Sequence, residues 1–247
     1  KLDPWKKIAS SLTDESCETV TIAMVGKYVD LTESYKSLSE ALIHSGVANN
    51  CKISIVYVDS ETLDTSSPEK SIRAANNGQD VDAILIPGGF GVRGSEGKIS
   101  AARYARESKV PFFGICLGLQ IATIEYARNV AGLKSATSAE FEPNSSCAVI
   151  DIMDSQKSVS IKGASMRLGA YPCAIKDGTR AKEVYGKTLI SERHRHRFEV
   201  NNRYRAMLEQ AGMILSGQSP DSRLVEIVEL RDHPWFVASQ FHPEFTS

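Results

Sequence analysis

The chain has 247 residues, 42% of them hydrophobic and 24% charged, with 29 Lys and Arg against 30 Asp and Glu for a formal net charge of -1. This is ordinary globular composition, with no cationic surplus to neutralise a run of phosphates, so no nucleic-acid partner is expected. The longest apolar runs, within 82–87 and 110–119, fall far short of the roughly 20 residues that cross a bilayer, and the first residues lack the pattern of a secretory leader; no membrane association and a cytoplasmic location are expected.

Residues 1–18 are polar around a single Trp and read as a linker into a domain spanning 19–247; with no initiating Met, the chain is expected to be a piece of something longer. Thr19 to Val25 is a β-branched run stopped by Gly26, after which Tyr35, Leu38 and Leu42 recur at helical spacing up to a predicted stop at Gly46. The unit repeats: a strand over Ile53 to Val58 and a helix around Glu69 to Ala75, a strand over Ala83 to Pro87 and a helix around Ile99 to Ser108, a strand over Val110 to Ile115 and a helix carrying Leu117, Ile121 and Ile124. Four consecutive βα units imply an α/β fold, a central mostly parallel sheet flanked by helices on both faces. From Ser146 the rhythm shortens to strands over Ala148 to Ile152, Val225 to Leu230 and Phe236 to Phe241 with a helix near Tyr204 to Ala211, expected to extend the same sheet by mixed and antiparallel additions. Asp154 to Gly163 is polar and reads as a mobile loop.

Ligands of such sheets sit beyond the carboxyl ends of the strands, which directs attention to Gly26-Lys27-Tyr28, Pro87-Gly88-Gly89-Phe90-Gly91, Gly114-Ile115-Cys116-Leu117-Gly118 and Phe241-His242-Pro243-Glu244. Gly89 to Gly94 matches GxGxxG, but that fingerprint belongs after a first strand and expects an acid at the end of the next one; here it follows the third strand, and the next runs into Cys116. A phosphate loop ending in Gly97-Lys98 would need Gly at 92 and Ser or Thr at 99, where Val92 and Ile99 stand. What remains is either a plain turn or a set of backbone N–H groups suited to a developing negative charge.

Gly114-Ile115-Cys116-Leu117-Gly118 has the form of a nucleophile elbow between a buried strand and a helix, whose N-terminal dipole favours a thiolate. Cys17, Cys51, Cys147 and Cys173 lack such flanking glycines, and five widely spaced cysteines without a CxxC pair indicate neither a disulfide framework nor a metal site. Of the five histidines, His44 falls on the first helix, His194 and His196 alternate with arginines in what reads as the cationic start of a strand, and His233 has no acid two residues on. His242 ends an apolar strand and is followed by Glu244, which an extended chain would put on the same side, so carboxylate, imidazole and thiol form a candidate triad.

In order and spacing, Pro87-Gly88-Gly89-Phe90-Gly91, the run from Gly114 to Gln120 and Phe241-His242-Pro243-Glu244 resemble the class I (triad) glutamine amidotransferases, of flavodoxin-like fold. Gly26-Lys27-Tyr28, Gly94-Ser95-Glu96-Gly97-Lys98, Met166-Arg167-Leu168-Gly169 and the run from Glu192 to Asn201 are similar to the glutaminase domain of the CTP synthase family, across about Trp5 to Ser247. One departure is a shorter loop before Met166.

The resemblance implies glutamine hydrolysis through a thioester on Cys116, with His242 and Glu244 completing the triad and the N–H groups of Gly89 and Leu117 forming the oxyanion hole. It implies glutamine contacts at Gly89, Phe90, Leu117, Gly118, Gln120, Glu140 and Arg197, and GTP contacts at Phe90, Arg167 and Arg197. It further implies a covalently linked synthase domain using ATP, Mg and UTP, GTP as activator, a homotetramer, and no cofactor or metal in this domain. Two other classes stay open: another Cys-His hydrolase, such as a γ-glutamyl hydrolase or a protease-like relative, and a regulatory domain that binds without turnover.

Overall fold

β1 (Thr19–Gly26) starts at an exposed Thr and is buried from Ile22 to its end, where its side chains alternate between two cores. In this computed structural model the described residues are 16–27, 29, 31–152 and 166–247, together with Leu2 and Ile8. Most of the leading linker, Tyr28 and the loop expected at Asp154 to Gly163 lie outside them.

β1 pairs in parallel with β2 (Lys52–Asp59) and β3 (Ala83–Ile86), and the parallel arrangement continues through β4 (Phe112–Ile115) to β12 (Phe236–Ser239). Beyond β12 the partners turn antiparallel: β11 (Val225–Leu230), β10 (Met213–Gln218), β7 (Arg167–Ile175) and β8 (Leu189–His196). The order is β2-β1-β3-β4-β12-β11-β10-β7-β8. Ala23 and Val25 face a core with α2 (Pro68–Ala75), α3 (Ser95–Ser108) and α4 (Leu117–Asn129), whereas Ile22 and Met24 face Leu38 of α1 (Lys36–Asn49). With helices on both faces the strands have no solvated side, which is why they read as continuous apolar runs. The register partners Phe112 and Phe236 stack with centroids 4.4 Å apart at the joint between β4 and β12. Burying each ring contributes about 1.5–3 kcal/mol, so the joint that carries the site is among the better anchored parts of the sheet.

Three boundaries differ from the sequence reading. α1 passes through Gly46 and stops at Asn50, whose left-handed φ of 54° lets its N–H reach the carbonyls of Gly46 and Val47. Gly46 is a packing residue instead, since a Cβ there would lie 2.7 Å from the Cys51 carbonyl. α3 begins at Ser95 rather than near Ile99, because left-handed Gly94 caps it and its polar first turn is buried against Ser60. β6 (Ala148–Ile152) does not join the main sheet; it forms a small second sheet with β5 (Thr137–Ser138) and β9 (Phe198–Val200), and its Val149 and Ile150 join the core that contains α4.

Register shifts between Leu215 and Gln218 mark a bulge in β10 against β11, centred on Gly217. A bulge bends and twists its strand, which suits the return of β8, last in the sheet, towards the exits of β4 and β12. There the Arg193 carbonyl accepts from the His242 N–H at 2.8 Å. No described helix is long and apolar enough to cross a membrane.

Candidate active site

Cys116 sits between β4 and α4 with φ 54° and ψ -100°, a conformation non-glycine residues avoid, and is 2% exposed. Its neighbours explain how the strain is held. A Cβ at Gly114 would meet the Gly118 backbone at 2.7 Å, and one at Gly118 would run into the Ile86 carbonyl. Only glycines allow strand, turn and helix to pack this closely. Leu117 opens α4, so its N–H lacks an intrahelical acceptor and points with the positive end of the helix dipole.

β12 is the neighbour of β4, so the residues after it emerge beside Cys116. His242 lies three residues past the strand and leads a 3-10 turn over Pro243–Phe245. That turn, rather than the extended chain expected from the sequence, brings Glu244 Oε1 to 2.8 Å from His242 Nδ1. A Cβ at Gly88 would stand 2.7 Å from His242 Cε1, so that glycine makes room for the imidazole. Burial works against the charged ring, but hydrogen bonds to Cys116 and Glu244 and their charges prevail and raise its pKa to about 10. An imidazolium held between a sulfur and a carboxylate can donate a proton to a leaving group and, once neutral, accept one from water.

The loop after β3 closes the site from above. The Gly91 N–H donates to Glu140 Oε1 at 2.7 Å, and Lys27 Nζ donates to the Phe90 carbonyl, so the loop is tied at two consecutive residues. Gly89 packs against the Leu117 side chain, where a Cβ would lie 3.3 Å from Cδ2. Phe90 is 42% exposed, with the Arg195 guanidinium 6.0 Å from its ring centre. Between them opens a cavity of about 210 Å³ lined by Tyr35, Gly88, Phe90, Cys116, Arg195 and His242 among others.

Of the other residues singled out in the sequence, Gly89 lines that cavity and Gly118 lies in the first turn of α4. Gln120 is buried, donating Nε2 to the Phe198 carbonyl at 3.1 Å and to Gln240 Oε1 at 3.4 Å, while its own Oε1 has no partner among the described residues. Burial raises the pKa of Glu140, opposed by the Gly91 N–H, Lys27 and Arg197; Arg197 keeps a buried Nε without a partner among the described residues. Arg167 is not brought to the cleft. It is 8% exposed and engaged by Glu226 at 2.7 Å and Glu199 at 3.6 Å, with Tyr171 under its guanidinium.

Two features escape a reading of the sequence. His194 and His196 are buried rather than part of a cationic surface, because β8 alternates these inward rings with outward Arg193 and Arg195. Desolvation first and Arg167 second push both pKa values down, leaving neutral rings. Gln240, fully buried, reaches Cys116 Sγ with its side-chain nitrogen at 3.8 Å, while the Arg195 carbonyl lies 3.9 Å from the same sulfur. A polar residue at an apolar strand exit, two before His242, was the available signal. The other buried cysteine among the described residues, Cys173, has its thiol pushed up to about 12 by burial, the behaviour of an inert structural residue.

A family model described as glutamine amidotransferase class-I matches residues 30–247. The chain is 53% identical over 246 residues to the CTP synthases of Syntrophus aciditrophicus and Geobacter sulfurreducens; both matches cover 100% of this chain, and 44% and 45% of those proteins respectively. The chain thus spans under half the length of these curated relatives. The solved glutaminase domain of Trypanosoma brucei CTPS with bound acivicin is 40% identical with a TM-score of 0.82, over 92% of this chain and 86% of that one.

Proposed function

The chain belongs to the class I glutamine amidotransferase family, and from that premise we propose that Cys116, His242 and Glu244 hydrolyse glutamine to glutamate and ammonia. The observation that carries the assignment is the His242 imidazole, bonded to Glu244 at 2.8 Å and sharing one cavity with the thiol of a strained elbow. The Cys116 thiolate adds to the side-chain amide carbon, and the oxygen, now an anion, takes hydrogen bonds from the Gly89 and Leu117 N–H groups. His242 protonates the nitrogen, the C–N bond breaks, and ammonia leaves a thioester. Neutral His242 then takes a proton from water, hydroxide adds to the thioester carbon, and the C–S bond breaks to give glutamate and the thiolate. Glu140 suits the substrate's α-ammonium and Arg197 its α-carboxylate, each buried enough for charge pairing to count; Gln120, Gly118 and Phe90 complete the contacts.

In the whole protein the ammonia would aminate UTP to CTP in an ATP- and Mg-dependent synthase domain joined through residues 1–18. GTP would activate, with Phe90 and Arg197 as contacts, in a cytoplasmic homotetramer. Buried Arg167, engaged by two carboxylates, is a poor candidate for that contact. Labelling with a glutamine-mimicking electrophile tests the assignment: modification at Cys116 that glutamine blocks supports it, labelling indifferent to glutamine favours another Cys-His hydrolase, and no labelling favours a binding domain. In the full-length protein Cys116→Ala should abolish glutamine-driven CTP formation and spare the ammonia-driven reaction.

A further inference from the structure

We propose that Gln240 is a catalytic residue of this site: its side-chain N–H holds the Cys116 thiolate, and Gln120 fixes the orientation that makes it a donor. The inference rests on the reading of Cys116 as the nucleophile.

The orientation follows from partners whose roles are not negotiable. Gln120 Nε2 lies 3.1 Å from the Phe198 carbonyl, which can only accept, so that atom is a nitrogen and a donor. The same nitrogen approaches the Gln240 side chain at 3.4 Å and must meet oxygen there. The remaining Gln240 atom, the one 3.8 Å from Cys116 Sγ, is therefore the nitrogen. Its backbone is fixed as well, the Gln240 N–H donating to the Glu226 carbonyl at 2.8 Å.

The sulfur thus has an acceptor on one side and a donor on the other. As a thiol, Cys116 donates to the Arg195 carbonyl. As a thiolate it can no longer donate, the carbonyl dipole opposes its charge, and the Gln240 N–H becomes its hydrogen-bonding complement. A donor that bonds the charged form more strongly than the neutral one lowers the free energy of the charged form more. Gln240 thereby enlarges the share of thiolate available to attack, and the same bond favours the thiolate as the leaving group when the thioester breaks down. The ionisable groups around the sulfur are His242 after β12, Glu244 behind it, Arg195 lining the same cavity, and His194 and His196 on β8, both neutral.

The test reads the thiol itself rather than turnover. In the full chain, the rate of Cys116 alkylation by iodoacetamide is followed against pH for wild type, Gln240→Met and Gln240→Glu. Loss of one charge-assisted hydrogen bond should move the midpoint of the Cys116–His242 pair up by about one unit in Gln240→Met, a tenfold slower reaction below it, with an unchanged plateau at high pH. Gln240→Glu should move it further. Midpoints that coincide with wild type would overturn the proposal. A second readout needs no variant of Gln240: its side-chain amide signals, in nitrogen-15-labelled protein, should shift through the Cys116 titration and lose that shift in Cys116→Ala. Signals that ignore the titration overturn it equally. Should Cys116→Ala retain glutamine hydrolysis, the nucleophile assignment fails, whatever the amide signals do.

Discussion

The backbone carbonyl of Arg193 and the backbone N–H of His242 are joined by a 2.8 Å hydrogen bond, and two residues further along the same strand the Arg195 carbonyl lies 3.9 Å from Cys116 Sγ. One strand thereby braces both residues of the proposed thiol–imidazole pair from behind. Its inward rings are locked in turn. His196 Nδ1 lies 3.2 Å from the Phe198 carbonyl and must donate to it, so neutral His196 accepts at Nε2 from His194 Nδ1, 2.8 Å away. Beneath them Arg167 lies between Glu226 and Glu199, whose pKa values burial pushes up, that of Glu199 most strongly. The site rests on a buried polar network in which Arg167 is the cation that faces both carboxyl groups, the two histidines being neutral.

Removing Arg167 from that network should be costly. Arg167→Met leaves two buried carboxyl groups without the cation that engages both, a change that typically costs about 3–5 kcal/mol. For a chain of this size the melting temperature should fall by roughly 10 °C, read by calorimetry. Neutralising a partner as well, in Arg167→Met with Glu226→Gln, should recover part of the loss. A surface nucleotide contact would behave in the opposite way, leaving the melting temperature alone and weakening only activation.

His242 makes stability depend on pH in a stated direction. Its pKa is raised from 6.5 to about 10 by Cys116 and Glu244 against the opposing effect of burial. Below 6.5 both folded and unfolded states hold the proton and the stabilisation is fully present; between 6.5 and about 10 the unfolded state releases it first, so stability declines across that window. Melting curves from pH 6 to 10 should fall less steeply in His242→Gln than in wild type. Equal slopes would show that the folded ring titrates near its ordinary value.

The alternation of apolar runs and amphipathic stretches was enough to place the parallel half of the sheet, because strands buried on both faces announce themselves as strings of Val, Ile, Leu and Phe. Cys116 was legible for a similar local reason: two glycines at fixed spacing around one nucleophile. The contact between His242 and Glu244 is expected from an extended chain, whereas a 3-10 turn makes it. What stayed hidden depends on contacts distant in sequence. β6 reads like any other short strand, and only its pairing with β5 and β9 assigns it to a second sheet. His194 and His196 look cationic because their neighbours are arginines; the pleat of β8 separates the two sets. Arg167 stands between Met166 and Leu168, neighbours that give no hint of the two carboxylates, 32 and 59 positions away, that engage it.

The elbow glycines should be intolerant of even one methyl group. Gly118→Ala drives a Cβ into the Ile86 carbonyl, a backbone atom that cannot swing aside, and Gly114→Ala meets the Gly118 backbone. Either should destabilise by about 3 kcal/mol or more, beyond the usual range for overpacking, because strand and helix must separate. Gly132→Ala provides the contrast. It has open space and only an unfavourable φ of 77°, so its cost should stay near 1 kcal/mol. Denaturant titration of the three variants decides the matter, and similar values for Gly118→Ala and Gly132→Ala would refute the packing argument.

Glu244→Gln separates the charge of the third member of the proposed triad from its shape. The amide can still meet His242 Nδ1 in the present 2.8 Å geometry, through its oxygen, yet it offers no charge to hold the imidazolium and can equally present its N–H₂ and favour the wrong tautomer. The His242 pKa should fall towards its ordinary value, leaving less imidazolium at neutral pH to protonate departing ammonia. kcat for glutamine hydrolysis should drop by roughly 10²–10⁴ with KM little changed, the pattern of a group that acts through His242. Steady-state kinetics and an imidazole titration by NMR check the two halves independently. A large rise in KM with kcat preserved would assign Glu244 to binding, whereas a lowered ring pKa with unaltered kcat would mean that proton donation by His242 does not limit the reaction.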